Sequence, residues 1–137
     1  MACWFLRSEP ETYGWDHLVR DGATEWDGIR NYTARNFLKQ MQVGDRAIFY
    51  HSGKEKACVG VMTVTRAWRP DGDKDAWASV AVKPVAPLAH PVTLAEIKSE
   101  PRLAEIEVLR QSRLSVTPVG DEEWAVLMEL GGGMVDA

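Results

Sequence analysis

The stretch RAIFYHSGKEKACVGVMTVTRAW, residues 46–68, decides the fold class of this 137-residue chain. Two runs rich in aromatic and β-branched residues, Arg46 to His51 and Ala57 to Trp68, flank a polar loop from Ser52 to Lys56. That arrangement is typical of two strands joined as a β-hairpin. It predicts a sheet built by antiparallel pairing.

Shorter patterns on both sides of this hairpin predict further strands and helices. Strands are expected at 3–7, 77–85 and 114–119, and the prolines Pro84, Pro87 and Pro91 are expected to limit the second of them. Helices are expected at 12–20, 31–41 with Asn31 as the N-cap, 93–99 with a capping box, 103–109 and 121–130. Hairpins without βαβ alternation predict an α+β fold around a curved or closed antiparallel sheet, in one domain covering residues 1–137.

The composition is that of an ordinary globular protein, with 45% hydrophobic and 26% charged residues. No apolar run is long enough for a membrane span, and Arg7 interrupts the N-terminal apolar run too early for a signal peptide. We therefore predict a cytoplasmic protein with no membrane partner. Cys3 and Cys58 fit no zinc spacing and are expected to be reduced strand residues, and we predict no metal and no cofactor.

The charge is unevenly distributed along the chain. A net charge of −4 argues against a nucleic-acid partner, yet eight Lys or Arg residues face only two acids between Arg30 and Arg69. A basic middle region can hold phosphate locally in an acidic protein. The alternative is that these charges are scattered over a solvated surface.

A second stretch, WDGIRNYTARNF at residues 26–37, places an indole, a phenol, two guanidiniums and two carboxamides close together. Such groups recognise flat heterocycles, because rings stack on the faces while amides and guanidiniums pair with the edge. The stretch contains no nucleophile–base pair and no metal-ligand spacing. It therefore indicates binding of a planar polar molecule rather than cleavage.

Several motifs, in order, resemble the EVE domain family. They are WFLRSEP at 4–10, WDGIRNY at 26–32, ARN at 34–36, FYHS at 49–52 and LRQSRLS at 109–115. The resemblance implies a PUA-like antiparallel β-barrel flanked by short helices, related in fold to YTH and ASCH domains. It also implies binding of a modified base, such as a methylated cytosine, with DNA, RNA and a free nucleoside all open as the ligand.

The resemblance implies that Trp26 stacks on the base, as a tryptophan does in the related YTH domains. The base-binding candidates are Trp26, Ser8, Asn31, Tyr32, His51, Ser52 and Asn36, and the phosphate or rim candidates are Arg30, Arg35, Gln111 and Arg113. We expect Trp26→Ala to abolish binding with little loss of fold.

Several of the candidates also have a structural alternative. Trp26 and Tyr32 could be core residues, and Asn31 could be occupied as a helix cap. Asn36 could be merely exposed on a different helix face. Arg113 could pair with a carboxylate such as Asp27 and brace the wall of the pocket.

Two other functions compete with a non-enzymatic reader. One is a small hydrolase or transferase acting on a nucleotide-like substrate, with His51 as base and Ser52 or Ser8 as nucleophile. The sequence offers little for it, because no acid is evident to orient the imidazole and no nucleophile-elbow motif occurs. The other is a protein-interaction module whose tryptophans form an exposed patch.

Overall fold

The computed structural model describes residues 1–72 and 76–133, which form a mixed α+β structure. The strands are β1 Cys3–Ser8, β2 Thr24–Trp26, β3 Arg46–His51, β4 Ala57–Pro70, β5 Ala78–Thr93 and β6 Val116–Val119. The helices are α1 Pro10–Tyr13, α2 Trp15–Asp21, α3 Tyr32–Gln40, α4 Leu94–Ser99, α5 Glu107–Arg110 and α6 Asp121–Leu130, with a 3₁₀ turn at Pro101–Leu103.

The strands form one six-stranded sheet in the order β2-β5-β4-β3-β1-β6. Four of its pairs are antiparallel, but β1 and β3 are parallel, from Cys3 opposite Arg46 to Ser8 opposite His51. The prediction of a purely antiparallel sheet is therefore wrong at this pair. Parallel neighbours need a long crossover, and here residues 9–45 supply it with α1, α2, β2 and α3.

The closed barrel that the resemblance implied is not confirmed. The two edge strands, β2 and β6, do not pair with each other in the described part of the chain. The coarser expectation of an α+β fold with short helices flanking a sheet is confirmed.

Both faces of the sheet are covered, because alternate residues of a strand point to opposite sides. Trp4 and Leu6 of β1 join a cluster that also contains residues of α2 and α3, which we call the crossover core. Cys3 and Phe5 join a second cluster with α4, α5 and α6, which we call the C-terminal core. That residues 1–137 form a single domain stays a prediction.

Local signals placed several elements correctly. The hairpin of β3 and β4, the Asn31 cap of α3 and the Thr93–Glu96 capping box of α4 are all confirmed. The predicted helix at 12–20 instead divides at Gly14 into α1 and α2, and the predicted helix at 103–109 is a 3₁₀ turn followed by the short α5.

Strand β5 is longer than predicted, because it continues through all three prolines to Thr93. Its pairing with β4 shifts register at several places, among them the segments that carry Pro84 and Pro87. Bulges of this kind let a strand bend and leave some backbone groups out of the ladder, which is where proline is tolerated.

Asp45 ties the start of β3 to the N-terminal strand. Its buried carboxylate, in a residue only 4% exposed, accepts hydrogen bonds from the Trp4 indole at 3.0 Å and from the backbone N–H groups of Ala2 and Gln42 at 3.1 and 2.9 Å. Buried charge is tolerated only when it is satisfied in this way. Asp45 therefore stabilises one end of the parallel β1–β3 pair.

Both cysteines are free, buried and in strands, as predicted. Burial, which disfavours the thiolate, raises the pKa of Cys3 to about 11 and raises that of Cys58 well above its ordinary value. The high pKa makes both thiols poor nucleophiles at neutral pH. In the described residues, no helix has the length and apolar character needed to cross a bilayer.

Gly60 of β4 lets α2 lie directly on the sheet, because a β-carbon there would stand 2.5 Å from the Trp15 ring. Gly60→Ala is therefore expected to lower the free energy of unfolding by about 1–3 kcal/mol, as overpacking does. Urea denaturation of both proteins measures the difference.

Trp15→Phe, which makes room beside Gly60, provides the control. The double variant is expected to be less destabilised than the sum of the two single variants. Strictly additive effects would mean that the Gly60–Trp15 contact does not limit the packing of α2.

Candidate functional site

A cleft of about 410 Å³ opens where β1 ends. It is lined by Ser8, Thr12, Tyr13, Thr24, Glu25, Trp26 and Asp27. Ser8 is the last residue of β1, and all the other lining residues lie in the crossover. Of these, Thr12 and Tyr13 are on α1, Thr24 to Trp26 form β2, and Asp27 follows directly. We call it the Trp26 cleft.

Trp26 is both a wall of this cleft and a member of the crossover core. Its side chain meets Phe49 edge-on, with the ring centroids 5.5 Å apart, and the residue is only 7% exposed. Removing a buried aromatic side chain costs about 3–5 kcal/mol. The expectation that Trp26→Ala would leave the fold almost unchanged is therefore wrong, and a test of this residue needs an aromatic replacement.

The parallel register places Ser8 beside His51, with Ser52 next in the chain. The Ser8 hydroxyl donates to the Tyr13 carbonyl at 2.6 Å, and the Ser52 N–H and hydroxyl donate to the Ser8 carbonyl at 2.9 and 3.2 Å. The structure thus brings these three predicted residues together. Ser8 lines the Trp26 cleft, whereas Ser52 lines a different groove.

His51 has both ring nitrogens engaged. Its Nε2 accepts the Trp15 backbone N–H at 3.0 Å, and its Nδ1 lies 2.7 Å from the Glu55 carboxylate. The prediction that no acid orients this imidazole is therefore wrong, because Glu55 does so from four residues away. Since Nε2 accepts, the neutral ring carries its proton on Nδ1. Action as a base at Nε2 would require the Trp15 bond to break.

The two acids of the cleft differ in their surroundings. Glu25 accepts two hydrogen bonds from Arg66, at 2.5 and 2.9 Å, and one from the Ser79 hydroxyl at 3.0 Å, with Arg69 at 3.3 Å. The hydrogen bonds from Arg66 hold the pKa of Glu25 below its usual value. We call this group the Glu25 clamp.

Asp27, by contrast, has no hydrogen-bond or ion-pair partner within residues 1–72 and 76–133. It is exposed and borders the cleft. Asp27 therefore presents the cleft with an acceptor that the fold itself does not use. The suggested pairing of Arg113 with Asp27 is not found, because Arg113 lines the separate groove.

The remaining residues of the 26–37 stretch lie outside the cleft. The Asn31 side chain is occupied as the cap of α3, accepting the Ala34 N–H at 2.9 Å, and the Asn36 side chain is exposed and accepts from Arg35. Tyr32 is not a core residue, for it is 62% exposed. Arg30 and Arg35 flank it on the surface of the protein. The structure thus separates Trp26 from most of its predicted partners.

A second groove, of about 450 Å³, is lined by Arg7, Glu9, Ser52, Ser112, Arg113 and Ser115. Arg7 donates to the carbonyls of Ser112 and Leu114 and lies over the Tyr50 ring, so its role here is to hold the 112–114 segment. Gln111 donates to Glu107 at 2.5 Å. Of the rim candidates, only Arg113 lines this groove.

Five residues of the Trp26 cleft were not predicted: Thr12, Tyr13, Thr24, Glu25 and Asp27. Asp27 could have been found, since it adjoins Trp26 in the same motif and is an acceptor of the kind that base amines need. Thr24 and Glu25 directly precede Trp26 on β2, whereas Thr12 and Tyr13 come from α1, which meets β2 only through tertiary packing. Within the described ranges, no group of three or more His, Cys, Asp or Glu residues is placed to hold a metal ion.

The Glu25 clamp predicts a specific acid sensitivity. The pKa of Glu25 is lower in the native state than in the unfolded chain. The ionised Glu25 therefore contributes its full stabilisation at any pH above the ordinary carboxyl pKa. That contribution is lost as the pH falls through the lowered native pKa. Between about pH 7 and about pH 3, Glu25→Gln is therefore expected to lose less unfolding free energy than the unmodified protein. Urea denaturation at several pH values measures this difference.

Glu122→Gln, on the exposed start of α6, serves as the control and is expected to follow the unmodified protein. If the curve for Glu25→Gln ran parallel to that of the unmodified protein, the clamp would not contribute to the acid sensitivity.

The fold and the cleft together define a class: a small α+β domain with a cleft lined by aromatic, hydroxyl and carboxylate side chains. The chain belongs to the EVE domain family, whose model matches residues 2–130. It is 30% identical to human thymocyte nuclear protein 1, with 93% of this chain and 72% of the relative covered.

Two solved structures show the same fold. The protein Rpa0253 from Rhodopseudomonas palustris is 41% identical, with a TM-score of 0.91 over 96% of this chain and 94% of that one. The human THYN1 protein, crystallised in complex with DNA containing 5-methylcytosine, is 29% identical, with a TM-score of 0.88 over 98% of this chain and 99% of that one.

Proposed function

We propose that this protein is a non-enzymatic reader of a modified base in nucleic acid, and that the base enters the Trp26 cleft. The observation that carries the proposal is the human THYN1 complex with 5-methylcytosine DNA, a protein that matches nearly the whole of this chain. The cleft supports it independently, because about 410 Å³ lies in the range of small-ligand sites.

The walls of the cleft suit a flat base. Tyr13 offers the ring face that is not stacked on His17, and Trp26 offers the small part of its ring that stays exposed. Stacking on an aromatic ring contributes about 1–3 kcal/mol per base. Burial raises the pKa of the Tyr13 phenol, which stays protonated and donates to Asp21 at 2.8 Å. A base in a duplex would have to flip out to reach these rings, whereas an unpaired base would not. A methyl group would be recognised by apolar contact with the same walls.

The edge of the base would meet the polar residues of the cleft. Thr12 and Thr24 carry hydroxyls, which both donate and accept. Asp27 is an acceptor only, and an aspartate accepts from the exocyclic amine of cytosine. A ligand whose edge carries an amine would therefore fit Asp27 better than one whose edge carries only carbonyl oxygens.

The geometry of His51 favours binding over catalysis. An enzyme using His51 as base would need a free Nε2, but that atom already accepts the Trp15 N–H. His51 is better explained as the residue that holds α2 against the end of β3. A cytoplasmic location stays a prediction, and DNA, RNA and a free nucleoside are all open as the ligand.

Affinity for a short single strand carrying one 5-methylcytosine tests this proposal directly. Asp27→Ala is expected to weaken binding about 10- to 150-fold, because a hydrogen bond to a charged group contributes about 1.5–3 kcal/mol. Trp26→Phe is also expected to weaken binding while it keeps most of the packing on Phe49. Fluorescence anisotropy of a labelled strand, methylated or unmethylated, measures both effects.

Glu122→Ala is the matched control, since it removes the same charge from α6, which packs on the opposite side of the sheet. The protein without substitutions should bind the methylated strand more tightly than the unmethylated one. Equal affinity of folded Asp27→Ala and unmodified protein would contradict the assignment of the cleft.

A further inference from the structure

The surface of α3 carries a column of stacked aromatic and cationic side chains outside the Trp26 cleft. The Tyr32 and Trp77 rings are stacked, with centroids 5.0 Å apart and planes 23° apart. The Arg30 guanidinium lies over Trp77 at 5.3 Å, and the Arg35 guanidinium lies over Tyr32 at 4.9 Å. The order along the column is therefore cation, ring, ring, cation.

A second pair extends this surface along the helix. The Lys39 ammonium lies 4.5 Å from the centre of the Trp68 ring. Tyr32, Arg35 and Lys39 are spaced i, i+3 and i+7, which places them on one face of α3. The face is about 10 Å long at 1.5 Å per residue. We call the residues Arg30, Tyr32, Arg35, Lys39, Trp68 and Trp77 the α3 strip.

Half of the strip is exposed to solvent, whereas Arg35, Lys39 and Trp77 are half-buried. Tyr32 is 62% exposed and Trp68 is 36% exposed, which makes them two of the large apolar side chains that the fold leaves at the surface. An exposed ring beside a cation contributes little to stability. Protein stability therefore does not account for this arrangement, and we interpret it as a ligand-binding surface.

The charge of the strip favours an anionic partner. Arg30 is paired with Asp71 at 2.9 Å, but Arg35 and Lys39 form no ion pair with any residue of the two described segments. Single-stranded nucleic acid is bound by this combination, because bases stack on aromatic rings and guanidinium planes while cations follow the backbone. An acidic peptide would use the cations but would leave the stacked planes without a partner.

The strip begins where the cleft ends. Asp71 accepts the Gly28 N–H at 2.9 Å and also holds Arg30, so it ties the backbone next to Asp27 to the first cation of the strip. A strand with one base in the Trp26 cleft could therefore continue along α3. Its neighbouring bases would stack on the outer guanidinium faces at the ends of the column, because the two rings between them are already stacked, and its phosphates would meet Arg35 and Lys39.

We propose that the α3 strip binds the single-stranded nucleic acid next to the base held in the Trp26 cleft. This inference rests on the proposed function and adds a second surface to it. The strip contributes affinity through contacts with the phosphates and through stacking, whereas the cleft selects the base.

The test compares two ligands: free 5-methyl-2′-deoxycytidine, which can occupy only the cleft, and a short single strand carrying the same base. Tyr32→Ala removes the ring on which Arg35 and Trp77 stack. It is expected to weaken strand binding about 5- to 150-fold, because the guanidinium plane that stacks on a base loses its support, without changing nucleoside affinity. Tyr32→Phe, which keeps the ring, is expected to bind the strand like the unmodified protein.

Charge is tested separately with Arg35→Gln and Lys39→Gln. For each cation that no longer pairs with a phosphate, the slope of log affinity against log salt concentration is expected to become shallower by about 0.7. Lys83→Gln is the matched control, since Lys83 is exposed on β5 and its neighbour Val82 points into the crossover core. Circular dichroism confirms that each variant is folded.

The outcomes separate this inference from the proposed function. If the α3 variants bind the strand with unchanged affinity and unchanged salt dependence, the proposed role of the α3 strip is wrong, even if the protein binds the nucleoside. Strip-dependent binding of strands without preference for the methylated base would support the strip and contradict the cleft. Failure of the unmodified protein to bind any strand would overturn both.

Discussion

The parallel pairing of β1 with β3 is the constraint on which the rest of the structure depends. Neighbouring parallel strands cannot be joined by a tight turn, so the chain must leave β1 after Ser8 and pass through a long crossover before it begins β3 at Arg46. The crossover carries α1, α2, β2 and α3. Every residue that lines the Trp26 cleft lies at the end of β1 or in this crossover, and so do four of the six residues of the α3 strip.

Hydrogen bonds stabilise both ends of the parallel β1–β3 pair. At one end, the buried Asp45 carboxylate binds the Trp4 indole and two backbone N–H groups. At the other end, Ser52 binds the Ser8 carbonyl, and His51 binds the backbone of Trp15. The second set of contacts gives the polar side chains of the FYHS motif a structural role: Ser52 holds the backbone of Ser8 at the wall of the cleft, and His51 holds the start of α2.

Sequence alone predicted what short-range patterns control. The β3–β4 hairpin, the Asn31 cap and the Thr93 capping box each depend on residues a few positions apart, and the family resemblance is confirmed. The parallel pair could not be predicted this way, because it joins strands about forty residues apart and leaves no local signal. Strand β2 has only three residues, too few for a periodic pattern.

The lining of the cleft was predicted in part, for the same reason. Trp26 and Ser8 do line the cleft, but the stretch from Trp26 to Phe37 serves two surfaces rather than one. The chain turns at Gly28, whose φ of 74° is in the left-handed region that favours glycine. Residues before the turn face the cleft, while those after it cap and cover α3. Composition revealed the kinds of groups present, but only the backbone shows which of them meet.

The most direct measurement of the central claim is an NMR titration of isotope-labelled protein with 5-methyl-2′-deoxycytidine. The cleft assignment predicts that the shifting resonances are the amides of residues 8, 9, 11–13 and 24–27 and the Trp26 indole N–H, while the resonances of α3 beyond its first turn stay in place. Shifts confined to the groove around Ser112 and Arg113, with residues 24–27 unmoved, would contradict it.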